Sequence, residues 1–116
     1  MSSDSPRTAA FDAAMAAARD HLAANDVQQA LAQLERAHVL GQRDLVRHWQ
    51  VHALMLRAAR MAGDGREQRG QLLRLALVPL GHLFRRLPLG NTGRANVSAL
   101  APMPLPPELQ RLLDGD

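Results

Sequence analysis

The chain contains no cysteine, lysine, isoleucine or tyrosine. The missing cysteine excludes disulfides, thiolate metal centres and thiol nucleophiles. Any metal site must therefore draw on histidine, carboxylate or methionine. With lysine absent, all 14 basic residues are arginine, and nothing titrates between histidine and arginine. The pI near 11.2 follows from that gap, since the formal net charge is only +3. Aromatic side chains are scarce too: Phe11, Trp49 and Phe84. They offer almost no material for stacking on bases, so nucleic acid is disfavoured as a partner. No run of 18 uninterrupted apolar residues exists, which argues against a transmembrane helix. The first residues lack the apolar stretch of a signal peptide. A cytoplasmic protein without membrane contact is expected. Glutamate is limited to Glu35, Glu67 and Glu108. A di-iron bundle needs two Glu-x-x-His motifs and two further glutamates, so that class is not expected.

What is present is mostly helical patterning. A chain of 116 residues supports one domain. Residues 1–7 are expected to be disordered, residues 8–86 to form a helical domain, and residues 87–116 to form an extended segment with a short terminal helix. Phe11, Met15, Ala18 and Leu22 fall on one face of a first helix over about 8–24. Asp26 and Gln29 have the spacing of a capping box opening a second helix, and Gly41 reads as its left-handed stop. Asp44 is an N-cap for a third helix that closes at Gly63. Asp64 with Glu67 is a second capping box, opening a fourth helix. Leu72, Leu73, Leu75, Ala76, Val78, Leu80 and Leu83 cover so much of this helix that it should be the most buried. Pro79 should kink it or end its regular part. Beyond Leu87, proline and glycine break regular structure until a short helix at 107–113, with Pro107 at its first position. The tail still carries Leu87, Leu89, Val97, Leu100, Met103 and Leu105, and is expected to lie against the helices. The fold class is all-α: two helical hairpins, four helices, with an irregular C-terminal segment packed on them. Ala18, Ala30, Leu34, Ala37 and Gln42 fall at the spacing of a tetratricopeptide repeat, which the first hairpin resembles.

Five histidines in so small a chain form the chemical feature to follow. Glu35-x-x-His38 and His48-x-x-x-His52 each place two ligand-type side chains on one helical face. A short loop joins their helices, so the pairs can face one another. Zn2+ accepts imidazole nitrogen and carboxylate oxygen, and Ni2+ or Cu2+ accepts imidazole. The candidate metal ligands are Glu35, His38, His48, His52 and, from the fourth helix, His82, with Met55 as a soft alternative. His48-Trp-Gln-Val-His52 lacks the glutamate that follows the first histidine in metalloproteases. The competing reading makes these histidines polar residues of an inter-helix seam, with Glu35 orienting one of them. His21 reads as surface.

Arg57, Arg60, Arg66, Arg69 and Arg74 cluster around the turn after the third helix and read as a solvated face. Gly90-Asn-Thr-Gly-Arg94 is a tight-turn signal rather than a phosphate loop, having no lysine and no preceding strand. Taken in order, Glu35-Arg-Ala-His38-Val-Leu-Gly-Gln42, His48-Trp-Gln-Val-His52-Ala-Leu-Met-Leu56, Gly70-Gln71-Leu-Leu-Arg74, Gly90-Asn-Thr-Gly-Arg-Ala-Asn-Val-Ser98 and Pro102-Met-Pro resemble a small bacterial family, domain of unknown function thirty-seven oh three. The resemblance spans about residues 10–109. It implies a helical protein with the Gly-Asn-Thr-Gly tail as an integral part, and it implies no activity or cofactor. Two functions follow from the residues. One is a non-enzymatic module docking a peptide, a protein partner or a second copy of the chain in an apolar groove. The alternative is a small metal-binding protein using the His/Glu cluster. A hydrolase or lyase ranks last, since no nucleophile stands at a telling spacing.

Overall fold

The computed structural model describes residues 5–84, 92–95 and 102–115. Among these, the chain forms five helices and no strand: α1 (Pro6–Ala23), α2 (Val27–Gly41), α3 (Leu45–Ala62), α4 (Gly65–Leu83) and α5 (Pro107–Asp114). The first begins two residues earlier than expected. Ser5 accepts from the Thr8 amide and Pro6 occupies the first turn, a combination that starts a helix at no cost in backbone donors. Asp26, Asp44 and Asp64 each accept from the amide three residues on, as N-caps do. Asn25 and Gly63 take left-handed conformations in the turns after α1 and α3.

Helix α1 packs on α2, α2 on α3 and α3 on α4, while α5 reaches back to α2 and α1. The apolar core lies between α1, α2 and one face of α3. Phe11, Met15, Leu22, Leu34, Leu40, Val51 and Met55 fill it, and Ala14, Ala18, Ala30, Ala37 and Ala58 keep the helices close. Leu109 of α5 is buried in the same cluster, with Leu105, Leu112 and Leu113 packed against it. Arg36 and Glu108 hold α5 to α2 through paired side-chain contacts.

Three expectations are corrected. Gly41 is not a left-handed stop: it lies inside α2, and Gln42 after it is also right-handed. Glycine is needed there because a Cβ would come within 2.5 Å of the Phe11 ring. Neither Gln29 nor Glu67 completes a capping box, because the Asp26 and Asp64 amides donate to the His21 and Ala59 carbonyls and the Glu67 carboxylate turns elsewhere. Nor is α4 the most buried helix. Leu72, Leu73, Leu80 and Leu83 are exposed, and its buried residues are Glu67, Gln71, Arg74 and Val78. These four recur at i, i+4, i+7 and i+11, which is one helical face, and three of them are polar.

Helix α4 continues through Pro79. Proline has no amide hydrogen, so the carbonyl four residues earlier loses its helical donor. That carbonyl belongs to Leu75, and the indole Nε1–H of Trp49 donates to it at 3.0 Å. One side chain of α3 thus fills the gap that Pro79 opens in α4. No helix among the described residues is long and apolar enough to cross a membrane. Of the tail residues expected against the helices, Leu87, Leu89, Val97 and Leu100 lie outside the described residues, as do Gly90 and Asn91 of the turn.

Candidate metal centre

His38 comes from the last turn of α2, and His48 and His52 from the first two turns of α3. The Gln42–Asp44 turn between these helices is three residues long, so the two faces meet. All three rings are buried, with 2%, 4% and 2% of their surface exposed. His38 Nε2 lies 3.0 Å from His48 Nε2 and 3.1 Å from His52 Nε2. One ligand nitrogen from each residue lies within 4.8 Å of the others. Nitrogens bound to one ion at about 2.0–2.1 Å stand roughly 3.0–3.4 Å apart, depending on the bond angle. The two separations at the His38 nitrogen fall in that range, and the third, between His48 and His52, is bounded only at 4.8 Å.

The hydrogen bonds around the cluster decide which nitrogen carries each proton. The Gln71 amide nitrogen donates to Glu67 Oε2 at 2.7 Å and to the Gly93 carbonyl at 2.9 Å. Both acceptors lack hydrogens, so this nitrogen is fixed and Gln71 Oε1 must accept. It sits 2.7 Å from His52 Nδ1, which must therefore donate. Neutral His52 then presents only a lone pair at Nε2. Either orientation of neutral His48 leaves the junction short of a proton. If His48 Nδ1 donates to His82 Nε2, 3.0 Å away, its Nε2 also presents a lone pair, and one His38 proton serves two acceptors. If His48 Nε2 is protonated instead and donates to His38, the lone pairs of His38 and His52 oppose each other. Every buried side-chain nitrogen and oxygen among the described residues has a polar neighbour, yet two Nε2–Nε2 contacts share one proton. A single cation satisfies all the lone pairs at once.

Adding a proton instead is disfavoured. Burial, reinforced by the neighbouring His52 and His82, pushes the His48 pKa down to about 3. Burial also lowers His52 to about 4; Arg74 acts in the same direction, while the Gln71 hydrogen bond and Glu67 oppose it. Both rings are neutral at pH 7, the form in which imidazole binds a metal.

Behind the triad lies a charged layer that the sequence reading missed. Glu67 is 5% exposed and accepts from Gln71, from Arg94 Nε at 3.1 Å, and from the Ala95 amide at 3.3 Å. Arg94 also donates to Glu35 at 3.0 Å. Burial draws the Arg94 guanidinium down, but Glu67 and Glu35 outweigh it and hold its pKa above the usual arginine value. Burial dominates at Arg74 and lowers it, with Glu67 opposing. Gly93 has a φ of +84°, and a Cβ there would stand 2.5 Å from His38 Cδ2, so the backbone lies directly on that ring.

Of the five expected ligands, the structure brings His38, His48 and His52 together. His82 stands one step out, against His48 Nδ1. Glu35 pairs with Arg94. Met55 is fully buried in the apolar core. The signal that could have found Gln71 was its place on the Glu67–Gln71–Arg74–Val78 stripe. The stripe is mostly polar, so reading by hydropathy passed it over.

Helices α2, α3 and α4 thus define an all-helical protein built around a buried three-histidine cluster. Residues 6–113 match the family described as Protein of unknown function (DUF3703), and the chain belongs to that family. Neither a curated protein nor a solved structure matches the chain.

Proposed function

We propose that the chain binds one divalent transition-metal ion through the Nε2 atoms of His38, His48 and His52. The observation that carries this reading is their convergence with one proton too few for their mutual contacts. Three neutral imidazoles suit Zn2+, Ni2+ or Cu2+. With three protein ligands, a four-coordinate ion keeps one position for water or another small ligand. His82 and Gln71 act as outer partners that orient His48 and His52, as carboxylates and carbonyls do for other ligand histidines. Glu35 acts one layer further out, through Arg94.

The test is a zinc titration of untagged protein against a chromogenic chelator. One equivalent is expected to bind. Alanine at position 38, 48 or 52 should each weaken binding by about 100-fold or more, while His21→Ala leaves it unchanged. Binding of less than about a tenth of an equivalent, after loading with zinc, nickel, cobalt and copper in turn, rejects the reading.

A second reading, docking of a peptide or protein partner, is favoured by a different observation. Val46 of α3, Leu72, Leu73, Leu80 and Leu83 of α4, and Phe84 just after it are exposed, and exposed apolar side chains are common in recognition surfaces. Charged substitutions at Leu73 and Leu83 should abolish co-purification of such a partner without unfolding the chain.

A further inference from the structure

We infer that the segment 92–95 is a working part of the metal site, so that ion binding and docking of this segment reinforce each other. The inference rests on the metal reading above and assigns regulation to the same three histidines. The segment is tied to α2 and α4 around the ligands by hydrogen bonds, ion pairs and close packing. The Gly93 carbonyl accepts from Gln71, and the Gly93 backbone lies on the His38 ring. Arg94 bridges Glu67 on α4 and Glu35 on α2. The Ala95 amide donates to Glu67, and Ala95 packs where Gly70 leaves room, a Cβ on Gly70 falling 2.3 Å from that of Ala95.

The physical link is the orientation of Gln71. Its amide nitrogen is held by one acceptor on α4, Glu67, and one on the segment, Gly93. With both in place, Gln71 Oε1 must face His52, and His52 must present its Nε2 lone pair to the ion. With the segment displaced, Gln71 loses the Gly93 acceptor and Glu67 loses Arg94 and the Ala95 amide. Gln71 then turns more freely, and His52 can adopt the tautomer with Nε2 protonated, which does not bind. Gln71 is in this sense a positioning residue, acting through His52. By reciprocity, an ion that fixes the His52 tautomer strengthens docking of the segment by the factor that docking adds to ion affinity.

The test combines zinc affinity with amide hydrogen exchange. Arg94→Met keeps the bulk and removes both ion pairs. It should weaken zinc about 10–100-fold, the range found for outer-layer partners of metal ligands, at an unchanged stoichiometry. Gln71→Leu should do the same. Arg36→Met breaks the contact that holds α5 and serves as the control: it should lower stability and leave zinc affinity unchanged. In the unaltered chain, zinc should slow exchange at the Gly93, Arg94 and Ala95 amides by a similar factor, a measurement that needs no variant to fold. If the unaltered chain binds zinc but exchange at these amides does not change, the coupling is refuted and the metal reading stands. Equal zinc affinity in Arg94→Met and the unaltered chain refutes it as well. A chain that binds no metal at all overturns the reading on which the coupling rests.

Discussion

Acid should destabilise the metal-free protein through its buried histidines. His48 and His52 are almost fully buried, with pKa values pushed down to about 3 and about 4. In the unfolded chain both return to about 6.5. Between those values the unfolded chain takes up two protons that the folded chain refuses. Stability therefore falls as pH drops through 6.5 and continues to fall until about 4 to 3, where the folded rings also protonate. Each group contributes about 1.4 kcal/mol per pH unit inside that window. From pH 7 to pH 5, which includes the rounded start of the titration, the pair should remove about 4 kcal/mol. That is a large share of the roughly 5–15 kcal/mol that stabilises a small domain. Urea unfolding followed by circular dichroism, with chelator present, measures it directly. The midpoint should drop steeply between pH 7 and pH 5 at a constant denaturant slope. A loss below about 1 kcal/mol over this interval would show that the rings are protonated or solvated in the folded state, and the neutral cluster would be refuted.

Other outcomes follow from single contacts. Gly93→Ala places a methyl group against His38 at a positive φ, so it should weaken zinc binding by about tenfold or more and lower stability by roughly 1–3 kcal/mol, read by titration and urea unfolding. Leu34→Ala empties a fully buried position and should cost about 2–5 kcal/mol by the same unfolding assay. Trp49→Phe removes the donor to the Leu75 carbonyl and should cost about 0.5–1.5 kcal/mol. In a Pro79→Ala background, which restores a backbone donor to that carbonyl, the Trp49→Phe cost should shrink, and a double-mutant cycle reads the difference.

The helix boundaries were legible because capping chemistry is local. Asp26, Asp44, Asp64 and Gly63 act within three or four residues of where they stand, and each does what its position implies. The face of α1 was equally plain, since Phe11, Met15, Ala18 and Leu22 are apolar on a polar background. Helix α4 was misread for a definite reason. Its apolar residues outnumber its polar ones, yet the face that meets α3 carries Glu67, Gln71 and Arg74, whose burial is made tolerable by partners distant in sequence. Glu67 depends on Arg94 and Ala95, and Gln71 on Gly93 and His52. No local pattern announces such pairings. The same limit explains the site. The spacings of His48–His52 and of His38 after Glu35 marked the two helices that bring three histidines together, but the i, i+3 rule could not say that Glu35 would turn to Arg94. Nor could it say that His82 would meet His48 from outside the cluster.

The most direct measurement is X-ray absorption at the zinc edge on untagged, zinc-loaded protein. Three imidazole nitrogens at about 2.0–2.1 Å are expected, with the outer-ring scattering typical of histidine, and the histidine signal should diminish in His52→Ala. A shell made only of oxygen neighbours, or a spectrum unchanged by His52→Ala, would contradict metal binding by His38, His48 and His52.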